Sequence, residues 1–462
     1  SHAMAAIQTV SDNVTIRDVF THTGWREING HWAYLSSGGA LGQGGIIEGV
    51  DVDCDFGQLQ HFHIEQPGPG EAANAVKSSL RILELAPHRI SVPLLCATYV
   101  APLSVVIPVD FGLHLSGYTG TRKTEIASMC QAHYGRRFHG KNPPASWTST
   151  ENALEKMAFL AKDALLLVDD FIPTGSPSDV AAYHKKAERI LRGQGNLSGR
   201  GRMRPDGSLR PAYHPRGLII STGEDVPRNQ SLRARILIVE LGQRDVNLEV
   251  LTELQGAAGE GLLAKAMGAY IQWLAPQLPK LREELPDRKK SMRECALEAG
   301  KAHSRTPDIV AGLAIGLEKL LHFALHVGVL NLDKAKALWE VGTTALLEAG
   351  QAQADLVNEE CPCRRFLELL ASMLGSGQVH LLGIDGNTPP SPDRFGWVQA
   401  EISSIATVWK AQGKHIGWTD GTSMFLDSES TFAAIQGVAS RQGAPLAMGA
   451  KTLWRRMKDK GL

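Results

Sequence analysis

The sequence predicts an α/β fold: a parallel-sheet core preceded by an N-terminal α+β domain and followed by an α-helical domain and a small mixed C-terminal one. Three observations carry this. Between residues about 90 and 241, short continuously apolar runs alternate with helical stretches, as in strands covered on both faces. One such run passes through a glycine-rich turn directly into a helix. From 250 to 375, Leu, Ala and Glu recur at helical spacing without strand signals. The divisions fall at 1–80, 81–250, 251–385 and 386–462.

The chain has 462 residues, with 48 Lys plus Arg against 48 Asp plus Glu, so its formal charge is zero. A 43% hydrophobic and 21% charged composition is that of a folded globular protein. It excludes a disordered chain, a uniformly basic nucleic-acid coat and an acidic shell, but not a basic region confined to one place. The 6 cysteines, at 54, 96, 130, 295, 361 and 363, form no disulfide framework and fit a reducing cytoplasm. No apolar run reaches the ~18 residues of a membrane span, and the first residues do not read as a signal peptide.

Taken in order, Trp25–Ile28 and His31–Tyr34 flank Asn29-Gly30, a hairpin signal because both turn residues need positive φ. The glycine-rich segment 38–45 reads as a loop, and Gln66-Pro67-Gly68-Pro69-Gly70 as a break before a helix from about Glu71 to Leu85. The strand candidates are Ser91–Cys96, Gly112–Leu115, Ala164–Val168, Gly217–Ser221 and Ile236–Glu240. Beyond 390, helices mix with a short β segment near Phe425-Leu426.

The run Gly112–Leu115 leads into Ser116-Gly117-Tyr118-Thr119-Gly120-Thr121-Arg122-Lys123-Thr124 and then a helix. A glycine-rich turn at a helix N-terminus presents backbone N–H groups to an anion. Gly117, Thr119, Gly120, Thr121, Arg122, Lys123 and Thr124 would then hold ATP. Lys123 would reach the β- and γ-phosphates, and the Thr124 hydroxyl would ligate Mg²⁺. The position before the lysine, usually Gly, is Arg122.

Farther on, Leu165–Val168 ends in Asp169-Asp170. Asp169 is assigned to the metal side and Asp170 to the attacking water. The strand ending at Ser221 continues into Thr222-Gly223-Glu224-Asp225, with Thr222 the candidate γ-phosphate sensor. Between them, residues 189–216 carry seven arginines against Asp206 alone, a charge of +6 over 28 residues. Arg200, Arg202, Arg204 and Arg210 alternate with small residues around Asp206-Gly207, a hairpin of arginines suited to phosphate. At the C-terminus, Lys451, Arg455, Arg456 and Lys458 share a helix with Leu453, Trp454 and Met457 and would face DNA phosphates if the apolar residues are buried.

These motifs, with Trp147-Thr148-Ser149-Thr150-Glu151-Asn152 and the entry segment Gly24-Trp25-Arg26, resemble helicase-like AAA+ ATPases of bacterial mobile elements. That family is similar to ring helicases of the minichromosome-maintenance type. The resemblance covers most of residues 20–330. It implies an AAA+ P-loop core and a hexameric ring with single-stranded DNA in its pore. Arg233 or Arg235 would reach into the neighbour's site as a finger. His303-Ser304-Arg305-Thr306-Pro307 resembles a family signature and makes Arg305 a candidate second phosphate sensor. Residues 417–461 resemble a winged helix. The implied activity is ATP-driven DNA unwinding or translocation for a mobile element, in the cytoplasm. Two alternatives stay open: a protein remodeller or defence ATPase, for which Phe138-His139-Gly140 is the nearest aromatic pore loop, and a DNA initiator without processive unwinding.

Overall fold

The computed structural model describes residues 2–11, 18–199, 201–203, 205–210, 212–228, 230–298, 305–359, 361–403, 406–442, 446, 448–459 and 461. Arg200, Arg204, His303 and Ser304 lie outside the described residues. At the N-terminal hairpin, Asn29 and Gly30 take φ of 51° and 78°. β1 (Gly24–Ile28) therefore folds back on β2 (His31–Ser36), with Trp25 opposite Tyr34. The glycine-rich segment expected as a loop instead continues this sheet as β3 (Gly39–Gly42) and β4 (Gly45–Ile46). Ala40 and Leu41 supply the buried side chains that hold the glycines in register.

Gly24 explains why that hairpin sits where it does. Its φ is 92°, and a Cβ there would lie 2.4 Å from the Lys162 carbonyl oxygen. Only glycine allows this approach. Buried Asp163 then accepts hydrogen bonds from the Trp25 backbone N–H (2.9 Å) and the Ser104 hydroxyl (2.7 Å). The Trp25 indole donates to the Pro102 carbonyl at 2.8 Å.

α1 (Glu71–Leu80) follows the Pro/Gly break, and α2 (His88–Val100) follows it. The Ser91–Cys96 run is thus helix, not strand. Every residue from Ile90 to Val100 is buried, and a helix buried all round shows the same unbroken apolar run as a buried strand.

The core sheet comprises β5 (Gly112–Ser116), β6 (Ala145–Ser146), β7 (Leu165–Phe171), β10 (Leu218–Gly223) and β11 (Ile236–Glu240). α3 (Lys123–Gln131), α4 (Glu151–Leu160) and α5 (Pro177–Asn196) connect its first strands. The small hairpin of β8 (Arg202–Met203) and β9 (Leu209–Arg210) precedes β10. The strand order is β11-β5-β10-β7-β6, with every pairing parallel. Four of the five strand expectations hold, and two-residue β6 takes the place of the fifth. Leu113, Leu115, Leu165, Leu167, Ile220 and Leu237 are fully buried in it.

The expected helical stretch forms α6 (Leu248–Gly259), α7 (Leu262–Leu274), α8 (Leu278–Glu298), α9 (Thr306–His326) and α10 (Leu332–Glu359). Among the described residues α9 alone is long and apolar enough to cross a membrane, and 78% of its apolar window is buried inside the protein. It is a core helix.

The chain divides into two compact units: residues 1–174 with 182–354, and residues 175–181 with 355–462. In the second, α11 (Pro362–Gly375) precedes β12 (Val379–Gly383), β13 (Trp397–Ser403), β14 (Ala406–Ala411), β15 (Lys414–Thr419) and β16 (Met424–Leu426). α12 (Ser428–Arg441) and α13 (Ala450–Asp459) complete it. Of its strands only β16 was legible from the sequence, whereas α11 falls in the helical stretch expected to 375 and α13 is the expected C-terminal helix. Phe366, Leu370, Leu381, Ile416, Ile435 and Leu453 form the unit's core.

Candidate functional site

The site starts at the carboxyl edge of the core sheet, where open α/β sheets bind ligands. β5 is buried along its whole length and delivers the chain to the loop 117–122. Thr121 closes the turn, its hydroxyl donating to the Tyr118 carbonyl at 2.8 Å. Gly117 is obligatory in another way, since a Cβ would stand 2.6 Å from the Leu241 carbonyl oxygen. Arg122 has φ 66° and ψ 23°, the left-handed region that favours glycine, and its side chain is exposed. The backbone geometry of the glycine-type loop is therefore kept by an arginine. Lys123 opens α3, and its ammonium donates to the carbonyls of Gly117 (2.7 Å) and Tyr118 (2.9 Å).

Three strand ends converge on this loop. β10 lies between β5 and β7, so Thr222 stands between the loop and the acids. The Thr124 hydroxyl donates to Asp169 Oδ1 at 2.8 Å, and the Thr222 hydroxyl donates to the same oxygen. Thr222 also accepts the Asp170 backbone N–H at 3.2 Å. Asp170 takes φ 70°, which turns the chain at the strand end. Desolvation, then the neighbouring charges of Asp169 and Glu224, hold the Asp170 carboxyl above its usual range, and Lys123 opposes them. Burial lowers the Lys123 ammonium, against the attraction of Glu224, Asp169 and Asp170.

Asp169 and Thr124 offer hard oxygen ligands side by side. That donor set suits Mg²⁺, which takes one or two protein oxygens and keeps waters and phosphate oxygens for the rest. The helix N-terminus and Lys123 suit an anion such as a polyphosphate.

Sequence reasoning missed two contributors. Glu224 accepts a hydrogen bond from the Thr119 hydroxyl, so a carboxylate from beyond β10 bears on the loop itself. Its signal was an acid two residues past Thr222. His114 lies buried in mid-β5 with one ring nitrogen 2.9 Å from the Asp225 carbonyl and the other 3.0 Å from Ser221 Oγ. The carbonyl requires an N–H, which makes Nδ1 the acceptor from Ser221. Ser221 in turn accepts the Trp147 indole N–H at 2.8 Å. This chain pins the residue before Thr222, and the apolar setting of a strand interior gave no hint of it.

The arginines go elsewhere. Gly112, at the start of β5, donates its N–H to the Arg235 carbonyl at 3.1 Å, so Arg235 sits at the amino edge of the sheet, opposite the loop. Its guanidinium donates to Asn196 (3.1 Å) and Ser231 Oγ (2.9 Å). Arg305 joins it there, donating to the Gly195 carbonyl at 3.1 Å. Arg233 donates to the Pro227 carbonyl at 3.3 Å. The structure thus groups Arg235 with Arg305, away from Lys123 of the same chain.

The arginine hairpin exists: Arg202 is in register with Arg210, and Met203 with Leu209. In the second unit, α13 buries Leu453 and Met457 and exposes Lys451, Arg455, Arg456 and Lys458. Phe138 of the alternative pore loop is fully buried, packed on Phe62 at 5.0 Å, so it cannot grip a polypeptide.

No family model matches the chain, and no curated protein matches it in sequence. Solved structures do. The structure of the SCCmec type IV Cch active helicase matches with a TM-score of 0.64 at 12% identity, covering 100% of this chain and 79% of that one. At that identity the likeness is one of fold. The A-form apo structure of the NrS-1 C-terminal region matches 76% of this chain and 80% of that one at 11% identity, with a TM-score of 0.29.

Proposed function

We propose that this protein is an ATP-driven DNA helicase or translocase of the AAA+ type, acting as a hexameric ring on single-stranded DNA in the cytoplasm and serving a mobile element. The observation that carries the proposal is the convergence of Thr124, Asp169 and Thr222 beside Lys123 at three adjacent strand ends. The fold shared with a helicase supports it.

In this reading the loop 117–124 holds the nucleotide phosphates, and Lys123 leaves its loop carbonyls for them. Mg²⁺, held by Thr124 and Asp169, would neutralise charge on the phosphates. Asp170 orients the attacking water, and Thr222 couples the γ-phosphate position to both acids. The amino-edge position of Arg235 and Arg305 suits residues offered to a neighbouring subunit. The division into an N-terminal domain, a P-loop core, a helical lid-like domain and a winged helix is the layout we propose, with exposed α13 as a second DNA surface.

Lys123→Ala tests the reading. ATP turnover should vanish while salt-sensitive DNA binding persists, because the hairpin is untouched. Equal ATPase in variant and wild type would remove the assignment. Strand displacement on forked DNA separates unwinding from loading.

A further inference from the structure

The hairpin of β8 and β9 exposes what a folded surface ordinarily hides. Met203 and Leu209 are directly cross-strand, and they are 72% and 71% exposed. The adjacent register pair is Arg202 with Arg210, inside a stretch whose charge is +6. At that exposure the pair packs little against the rest of the described residues. At the hairpin's root, a cleft of about 200 Å³ is lined by Glu155, Arg189, Arg192, Asn196, Ser198 and Tyr213, with Arg189 paired to Glu151 and Glu155 and Arg192 to Glu188. Buried Arg189 Nη2 and Arg192 Nε have no hydrogen-bond partner there among the described residues.

The arginine-rich hairpin stretch and the two unspent guanidinium N–H groups at its root select a polyanion, and an apolar pair on such a hairpin selects the uncharged part of it. We propose that Met203 and Leu209 pack against unstacked bases of a single DNA strand while the arginine-rich stretch of the hairpin meets its phosphates. Apolar side chains inserted at base steps unstack them, and arginines follow the backbone without reading sequence. The hairpin would then grip bases as well as phosphates, which resists slippage during translocation. This rests on the DNA-translocase reading above.

The test uses the full chain and a single-stranded oligonucleotide carrying 2-aminopurine, whose emission reports unstacking. Wild type should change the emission at least ~2-fold on binding. The Met203→Ser, Leu209→Ser double variant should bind with an unchanged salt slope but lose the emission change, and a Met203→Leu, Leu209→Met swap should retain it. A double variant that alters emission as wild type does overturns the inference, as does wild type binding with no emission change. Wild type that fails to bind the oligonucleotide at low salt removes the DNA reading itself. ATPase stimulated by an unfolded polypeptide, and lost in the double variant, would reassign the pair to a protein partner.

Discussion

Thr124 and Asp169, 45 positions apart in the chain, share a 2.8 Å hydrogen bond where the glycine-rich loop meets the tip of β7. Thr222 donates to the same carboxylate oxygen, so two hydroxyls from different elements compete for one acceptor. A carboxylate oxygen that accepts from two hydroxyls can give up one of them to a cation and still keep the other.

Thr222→Val follows directly. Valine keeps the shape but removes the donor to Asp169 and the acceptor of the Asp170 N–H. Leaving that N–H unpaired should cost about 1–3 kcal/mol, read as a lower urea midpoint. ATP turnover should fall ~100-fold with nucleotide affinity little changed, the scale of one lost contact to developing charge. Thr222→Ser should restore both. A valine variant with wild-type turnover would falsify the sensor role.

How far the sequence foretold this site depends on what each residue's neighbours had to be. Lys123, Thr124, Asp169, Asp170 and Thr222 were legible because each occupies a strand end or loop, where a polar residue after an apolar run needs a reason. His114 was not, since its partners Ser221 and Asp225 are more than a hundred positions away and only sheet pairing joins them. Helix α2 was misread because complete burial erases the helical period that distinguishes it from a strand. The second unit's β12 and β15 were missed because glycine and histidine interrupt their alternation. Arg235 was picked out in the sequence as a candidate, but its companionship with Arg305 was not, since Arg305 reaches the Gly195 carbonyl across 110 positions.

Arg122 gives a stability prediction with a sign. A non-glycine residue at φ 66° carries about 1 kcal/mol of backbone strain. Arg122→Gly should therefore stabilise the protein, by up to about 1 kcal/mol after glycine's entropy is counted. Arg122→Val should destabilise it by about as much or more, because β-branching fits the left-handed region worst. Urea midpoints of the two variants check this. If the arginine also contacts nucleotide, the glycine variant will be more stable yet bind ATP less tightly, and titration with a non-hydrolysable analogue reads that separately.

Glu224 bears on the pH profile. Its charge is one of the causes that keep the Asp170 carboxyl raised, after desolvation and Asp169. Glu224→Gln removes that charge, so Asp170 should ionise at lower pH. With Asp170 needed as carboxylate, the acid limb of kcat against pH should move to lower pH in the variant. An acid limb that stays in place or moves upward would show that the group titrating in catalysis is not Asp170. The same substitution weakens the restraint on Thr119, so apparent ATP affinity should rise as like charge near the phosphates is lost.

The buried histidines predict how stability responds to acid. Burial pushes His114 and His133 down to about 4, from 6.5 in the free side chain. Around His114, Asp225 works against this, while Arg233 and Lys123 reinforce it. His133 is held neutral between the Ser79 hydroxyl (2.7 Å) and the Met129 carbonyl (3.0 Å). Below pH 6.5 the unfolded chain binds protons at these rings that the native state refuses. Unfolding is then favoured, so the stability they contribute is complete above pH 6.5 and is lost as pH falls toward 4. Each contributes on the order of 3 kcal/mol over that window. Urea midpoints measured between pH 7 and pH 4 should therefore fall steeply, and His133→Gln should flatten the slope whatever it does to the midpoint at pH 7. An unchanged slope in that variant would mean the ring protonates in the folded protein, and that the Ser79 and Met129 contacts do not hold it neutral.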